Sequence, residues 1–265
     1  MAQHVEKSGQ RNFHYEDGRD QVTVVVHEVN RSLLLDVAFG HFIWPSSIVM
    51  AEYVWKYRHQ FADSTVLEVG AGTSLPSLIL AKFYASGNCN LVVTDTQSVL
   101  SNIRRNFALN GILDNGPRTC IRELQWGIFG EGGIDELLET AASQCFYEIK
   151  WILGSDTFYD PKGADAFADF EKLLVTVAYV IHRYNKNAKF ITAYQERSSK
   201  RSIQHLLDKW QLSCRLIPKT SFDFDDTRYI EAADEMEDDI DDSEPAIRIH
   251  SGELASVFLL EIYAG

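Results

Sequence analysis

The 265 residues are 45% apolar and 24% charged, with a formal net charge of −13, which suits a globular chain long enough to bury a core without staples. Cys89, Cys120, Cys145 and Cys214 include no Cys-x-x-Cys pair, which argues against a disulfide scaffold and a zinc site and points to a reducing compartment. No stretch approaches the ~18 apolar residues of a membrane span, the polar first twenty residues do not read as a signal peptide, and the acidic balance opposes direct nucleic-acid binding.

Taken in order, residues 1–20 read as a disordered N-terminus, and 21–37 as a β-hairpin across Val29-Asn30-Arg31. Pro45 then opens a helix over 46–59, at the position where its missing N–H costs nothing. Short apolar runs predict strands at 65–69, 90–94, 119–124, 149–154, 188–193, 213–218 and 255–262. Amphipathic stretches predict helices at 74–85, 97–110, 134–142, 164–184 and 198–210. Strand–helix alternation of this kind implies an α/β, Rossmann-like doubly wound fold: a seven-stranded, mostly parallel sheet with helices on both faces. The last strand follows a loop rather than a helix, so it is expected antiparallel at or near the sheet edge. Residues 223–244 hold 12 acids and one base, leaving the rest of the chain nearly neutral. Like charges repel and stay hydrated, so 223–250 is expected to be a flexible acidic insertion before the last strand. The expectation is one domain over 21–265, with 21–60 as an N-terminal hairpin and helix.

The strongest chemical signal is VLEVGAGTSLPSL at 66–78, a strand running into Gly70-Ala71-Gly72 and then a helix. Glycines there permit a tight turn and close approach to a ligand. A bare Gly-x-Gly is equally the mark of an empty strand–helix turn, and Leu75 occupies the third glycine of the dinucleotide pattern. Two carboxylates shift the balance. Asp95 ends the next strand, where it is placed to accept hydrogen bonds from two ribose hydroxyls. Glu68 precedes the glycines and suits a cationic methionine end better than a pyrophosphate. The pattern therefore favours S-adenosylmethionine over a nicotinamide cofactor. At the end of the fourth strand, ILGSDTFYDP places Asp156 and Tyr159 at the carboxyl ends of the strands, where open α/β sheets bind ligands. The alternative is a turn-capping Asp156 and a partly buried Tyr159. No His, Cys, Asp or Glu cluster has metal spacing.

GHFIWPSSIVMAEYV, VLEVGAGTSLPSL, VVTDTQSVLSNIRRNFALNG, LQWG and GSDTFYDP occur in the order found in the seven-β-strand protein methyltransferases of family 16, which the chain resembles over about residues 20–230 and the final strand. The resemblance implies a class I methyltransferase domain that binds S-adenosylmethionine and releases S-adenosylhomocysteine. It implies that Trp44 lines the cofactor pocket, that Glu68, Gly70 and Gly72 wrap the methionine end, and that Asp95 holds the ribose. Trp126 would lie against the adenine, and Ser155 would also touch the cofactor. Asp156 and Tyr159 would be catalytic, with Phe158 facing the methyl-accepting side chain. Glu196, after the fifth strand, reads either as a second carboxylate or as the partner of Arg197. Ser74 and Ser77 depart from the pattern, standing where many relatives have glycine.

The acceptor implied is a basic side chain of a protein. The stretch TAYQERSSKRSIQHLLDKWQLSCRLIP sides with a branch distinct from the lysine-methylating members and tilts the reading toward arginine, with a histone or a chaperone-type protein as partner. A monomer in cytoplasm and nucleus goes with that reading, with no membrane or nucleic-acid partner. The competing classes are a non-catalytic interaction module that keeps the cofactor fold, a small-molecule methyltransferase and a nicotinamide-dependent oxidoreductase.

Overall fold

A computed structural model describes residues 8–29, 39–114, 116–144, 146–158, 166–195, 202–229 and 251–265. The N-terminal hairpin is β1 (Ser8–Asp17) paired antiparallel with β2 (Asp20–Val29). The expected hairpin over 21–37 is thus displaced: the partner of β2 precedes it, and part of the stretch read as disordered is β1. The reason is local. Gly18 and Arg19 close a two-residue loop in which only Gly18 has positive φ, +64°, the pattern of a type II′ turn. Phe13 and Tyr15 alternate with exposed Asn12, His14 and Glu16, so half of a polar-looking segment is core.

The outer edge of β2 is closed by a helix. Asn106 and Asn110 lie one turn apart on α3 (Gln97–Leu109) and at its C-terminal cap. The Asn106 amide accepts from the His27 N–H at 2.7 Å and donates to its carbonyl at 3.4 Å. Asn110 repeats this with Val25, at 2.9 and 2.7 Å. Two side-chain amides thereby stand in for a neighbouring strand.

The main sheet contains β3 (Ser64–Val69), β4 (Cys89–Asp95), β5 (Thr119–Glu123), β6 (Ile149–Ser155), β7 (Lys189–Gln195), β8 (Leu212–Ile217) and β9 (Val257–Ala264), in the order β5-β4-β3-β6-β7-β9-β8. The first five run parallel, and β9 is antiparallel to both β7 and β8. The last strand is therefore next to the edge, as expected, and β8 forms the edge itself. Covering helices on both faces explain why the central strands read as continuous apolar runs. Val66 packs into a core with α1 (Pro45–Lys56), α2 (Leu75–Phe83) and α3, whereas its neighbour Leu67 enters a second core with α4 (Ile134–Ser143), α5 (Ala166–Tyr179) and α6 (Gln204–Lys209). The long helix expected over 164–184 is α5 followed by a π-helical turn, Val180–Tyr184. The helix expected over 198–210 is shorter among the described residues.

Residues 223–229, expected as the start of the flexible acidic insertion, are instead docked together with 219–222. They cross α1 as two 3-10 turns and are fastened along their length. Phe222 is buried against Tyr53, Lys56 pairs with Asp223 at 2.6 Å, and Arg228 and Tyr229 both bond the buried Glu52. Lys219 Nζ donates to the carbonyls of Leu254 and Ala255, tying this strap to the one-turn helix α7 (Ser251–Ala255) that precedes β9. Aromatic and charge contacts here outweigh the repulsion expected of the run; its continuation, 230–250, lies outside the described residues.

Candidate active site

A cavity of about 610 Å³ opens at the carboxyl ends of β3, β4, β5 and β6. Gly70 leaves β3 at φ +61° and Gly72 follows at +55°, a left-handed turn that side chains resist. Close packing adds to that demand: a Cβ on Gly70 would meet the Trp126 ring at 3.0 Å and Thr157 at 3.3 Å. Ser74 also adopts positive φ, +62°, at the N-cap of α2, a conformation glycine would hold without strain.

Asp95 ends β4 facing this turn. Its Oδ2 accepts the Gly72 N–H at 2.8 Å and its Oδ1 the Thr96 N–H at 2.7 Å. Burial raises its carboxyl above the usual range, and those two bonds pull the other way. Oδ1 also takes the Thr96 hydroxyl at 3.3 Å. Oδ2 keeps a lone pair, and Oδ1 regains one when that hydroxyl turns to Ser98, 3.2 Å away, so the carboxylate then has room for two hydroxyl donors. Phe42, and Trp44 at the N-cap of α1, form one wall; Leu124, Gln125 and Trp126, after β5, form another.

Asp156 stands across the glycine turn from Asp95. It is 9% exposed and sits at φ +56° where the chain leaves β6. Its N–H donates to the Ala193 carbonyl at 2.6 Å, and its Oδ1 accepts the Gln195 N–H at 3.3 Å. Ser155 and Thr157 line the cavity on either side of it.

The cavity wall thus brings together Trp44, Gly70, Gly72, Asp95, Trp126, Ser155 and Asp156. Glu68 is not on that wall. It is 1% exposed, beneath the glycine turn and against the Ser77 hydroxyl and N–H, with its Oε2 and the Ser74 hydroxyl lacking hydrogen-bond partners. Burial raises its carboxyl to about 8; hydrogen bonding from Ser77 opposes that rise, and the Asp95 charge adds a smaller push. Phe158, expected at the acceptor, instead packs edge-on against Phe170 of α5 at 5.4 Å and tilted against Phe190 of β7 at 6.5 Å, which together offer it an aromatic pocket. Tyr159 and Glu196 lie outside the described residues. Sequence reasoning passed over Phe42, Val99, Asp169 and Lys172, which also line the cavity. Phe42 carried a signal, two residues before the Trp-Pro helix start; Lys172 comes from a distant helix and carried none.

A glycine cradle, an acid with a lone pair open to the cavity, aromatic walls and an unpaired carboxylate oxygen under the turn fit a nucleoside joined to a cationic amino-acid tail. Among the described residues no group of His, Cys, Asp and Glu could hold a metal ion, and no helix is long and apolar enough to cross a membrane.

A family profile described as lysine methyltransferase matches residues 32–208. The chain is 34% identical to Histone-arginine methyltransferase METTL23 of Xenopus laevis, over 83% of this chain and 84% of the relative. It is 30% identical to the Homo sapiens protein of the same name, over 69% and 85%. Protein-lysine methyltransferase METTL21E of Mus musculus is 25% identical, over 60% and 63%.

Proposed function

The chain belongs to this lysine methyltransferase family and is a protein methyltransferase, and from that premise we propose that it transfers a methyl group from S-adenosylmethionine to an arginine side chain of a basic protein, a histone being the first candidate. The observation that carries the reading is that Asp95 and Asp156 line one cavity on either side of the glycine turn, so one carboxylate serves the cofactor and the other the acceptor. In this reading Asp95 takes the ribose hydroxyls, while Trp44, Trp126 and Ser155 hold the flanks of the cofactor. Gly70 and Gly72 give the methionine end its room, with the Glu68 carboxylate beneath them. S-adenosylmethionine, when bound, supplies a methyl group activated by its sulfonium.

The residues of this chain then have to align a nucleophile at ~3–3.5 Å. A lysine must first lose a proton, which from pKa ~10.4 to pH 7 costs roughly 5 kcal/mol. An arginine stays cationic, with pKa above ~12, and is steered as the cation until its proton leaves. The Asp156 carboxylate anchors that cation and accepts the proton; Tyr159 offers a ring face, and Glu196 is the second carboxylate of the proposal. The relatives of higher identity are named histone-arginine methyltransferases, which supports arginine over lysine. Action as a monomer in cytoplasm and nucleus completes the proposal.

The test is incubation with methyl-labelled S-adenosylmethionine, core histones and an undermethylated cell extract, followed by sequencing of the labelled product. Labelled methylarginine in a basic protein, abolished by Asp156→Ala with cofactor affinity retained, is the expected result. Label found only in small molecules would overturn the proposal.

A further inference from the structure

Asp156 occupies a left-handed backbone conformation, φ +56°, that an L-residue adopts only under strain and keeps only where the surroundings over-determine it. Two of its supports come from β7. The Asp156 N–H reaches the Ala193 carbonyl, and its carboxylate takes the Gln195 N–H. Gln195 is the last residue of β7, where a strand would ordinarily fray. It is held there by β9: Gln195 pairs with Val257, and its neighbour Tyr194 stacks on Phe258 with ring centroids 5.9 Å apart. A side-chain bond completes the clamp. Gln195 Nε2 donates to the Ser256 hydroxyl at 3.1 Å, and that hydroxyl donates to the Glu253 carbonyl in α7 at 2.8 Å. Ser256 therefore spends its one proton on α7 and offers a lone pair to Gln195, a direction fixed by the two partners.

Resting on the reading of Asp156 as the acceptor-side carboxylate, we infer that Gln195 and Ser256 are positioning residues for methyl transfer. Their bond holds the end of β7 so that its N–H aims the Asp156 carboxylate. Neither side chain lines the cavity, so both act through Asp156. The chain emerging from the acidic stretch rejoins the sheet through this same serine, so the geometry of the acceptor carboxylate depends on how that segment docks.

The experiment uses the full-length protein, labelled S-adenosylmethionine and a dilution series of undermethylated cell extract, which separates apparent kcat from apparent KM. Gln195→Ala and Ser256→Ala should each lower apparent kcat roughly tenfold, within the range that small misplacements cause, and the double variant should fall no further. Cofactor affinity and melting temperature should stay near wild type. Ser256→Thr, which keeps the hydroxyl, should restore the rate. Wild-type kcat in both alanine variants, or a Ser256→Thr protein as slow as Ser256→Ala, overturns the inference while leaving the proposed function intact. A loss of rate matched by lost cofactor affinity or a lowered melting temperature in both variants also overturns it, since that marks a purely structural bond. Wild-type turnover in Asp156→Ala, run alongside, removes the reading beneath it.

Discussion

Replacing Glu68 with glutamine tests the electrostatics of the glycine turn without an acceptor substrate. The folded carboxyl is raised to about 8 from an ordinary 4.5, so as pH rises the unfolded chain gives up this proton first. Wild-type stability is therefore lost between those two values and falls no further above the higher one. By linkage the cost is ~1 kcal/mol at pH 5.5 and ~3 kcal/mol at pH 7, a difference of ~2 kcal/mol. Glutamine keeps the shape and does not titrate. Other titrating groups cancel when the two proteins are compared at each pH. The melting temperature of Glu68→Gln minus that of wild type should accordingly rise by roughly 4–8 °C between pH 5.5 and 7. Saturating S-adenosylhomocysteine, which retains an α-amino cation, should flatten that rise by ionising Glu68 in the folded protein. Thermal unfolding followed by circular dichroism across the range measures both. A difference that stays constant with pH would mean the carboxyl is already ionised when folded, and the argument from burial would fail.

Asp95→Ala removes two charge-assisted bonds to the ribose, each worth ~1.5–3 kcal/mol, so calorimetry should show cofactor affinity reduced at least a hundredfold, with NAD silent for wild type; undiminished affinity would refute the ribose assignment. Asn106→Ala strips both partners from the His27 backbone and should cost about 2–4 kcal/mol of stability, read as a lowered melting temperature; an unchanged melt would show that the helix does not support the hairpin edge. Deleting residues 231–244 should raise KM for a basic protein at low salt and leave kcat near wild type. The effect should fade as the screening length drops from ~10 Å at 0.1 M to ~3 Å at 1 M salt. A KM unchanged at low salt for core histones and for a lysine-rich peptide would make that stretch a connector without a steering role.

Every strand of the main sheet was legible; in the central strands burial on both faces leaves a short run of Val, Ile and Leu that little else explains, whereas the edge strand β8 is largely exposed. β9 begins two residues later than its apolar run predicts, since α7 consumes the first turn. The hairpin slipped for the opposite reason: only one face of β1 is buried, so its polar face reads as disorder unless the Asp17-Gly18 turn is taken as the stronger signal. The pairing of Asn106 and Asn110 with β2 is invisible in sequence, since amides spaced by four on a helix look like a solvated stripe. The acidic run that begins at Asp223 concealed Phe224 and Tyr229, which stack on each other, and Phe224 packs on Phe222, which docks on Tyr53. At the site, the glycine turn and Asp95 were readable because their spacing is local. The recession of Glu68 behind the wall depends on how α2 packs, and pattern alone does not carry that.

The position of β9 between β7 and β8 has a consequence for the order in which the protein folds. Both neighbours are synthesised first, and both run antiparallel to β9, so they are parallel to each other. Until β9 arrives, β7 presents an open edge to β8, and a parallel β7–β8 pair is an available trap. Escape requires closing a loop that spans the acidic stretch, an entropic cost that grows slowly with its length. The slot for β9 is then the last gap in the sheet to close, and refolding should show a slow phase assigned to it. Gln195 is clamped only from that moment, so recovered methyl transfer should lag behind recovered helix signal as the chain refolds.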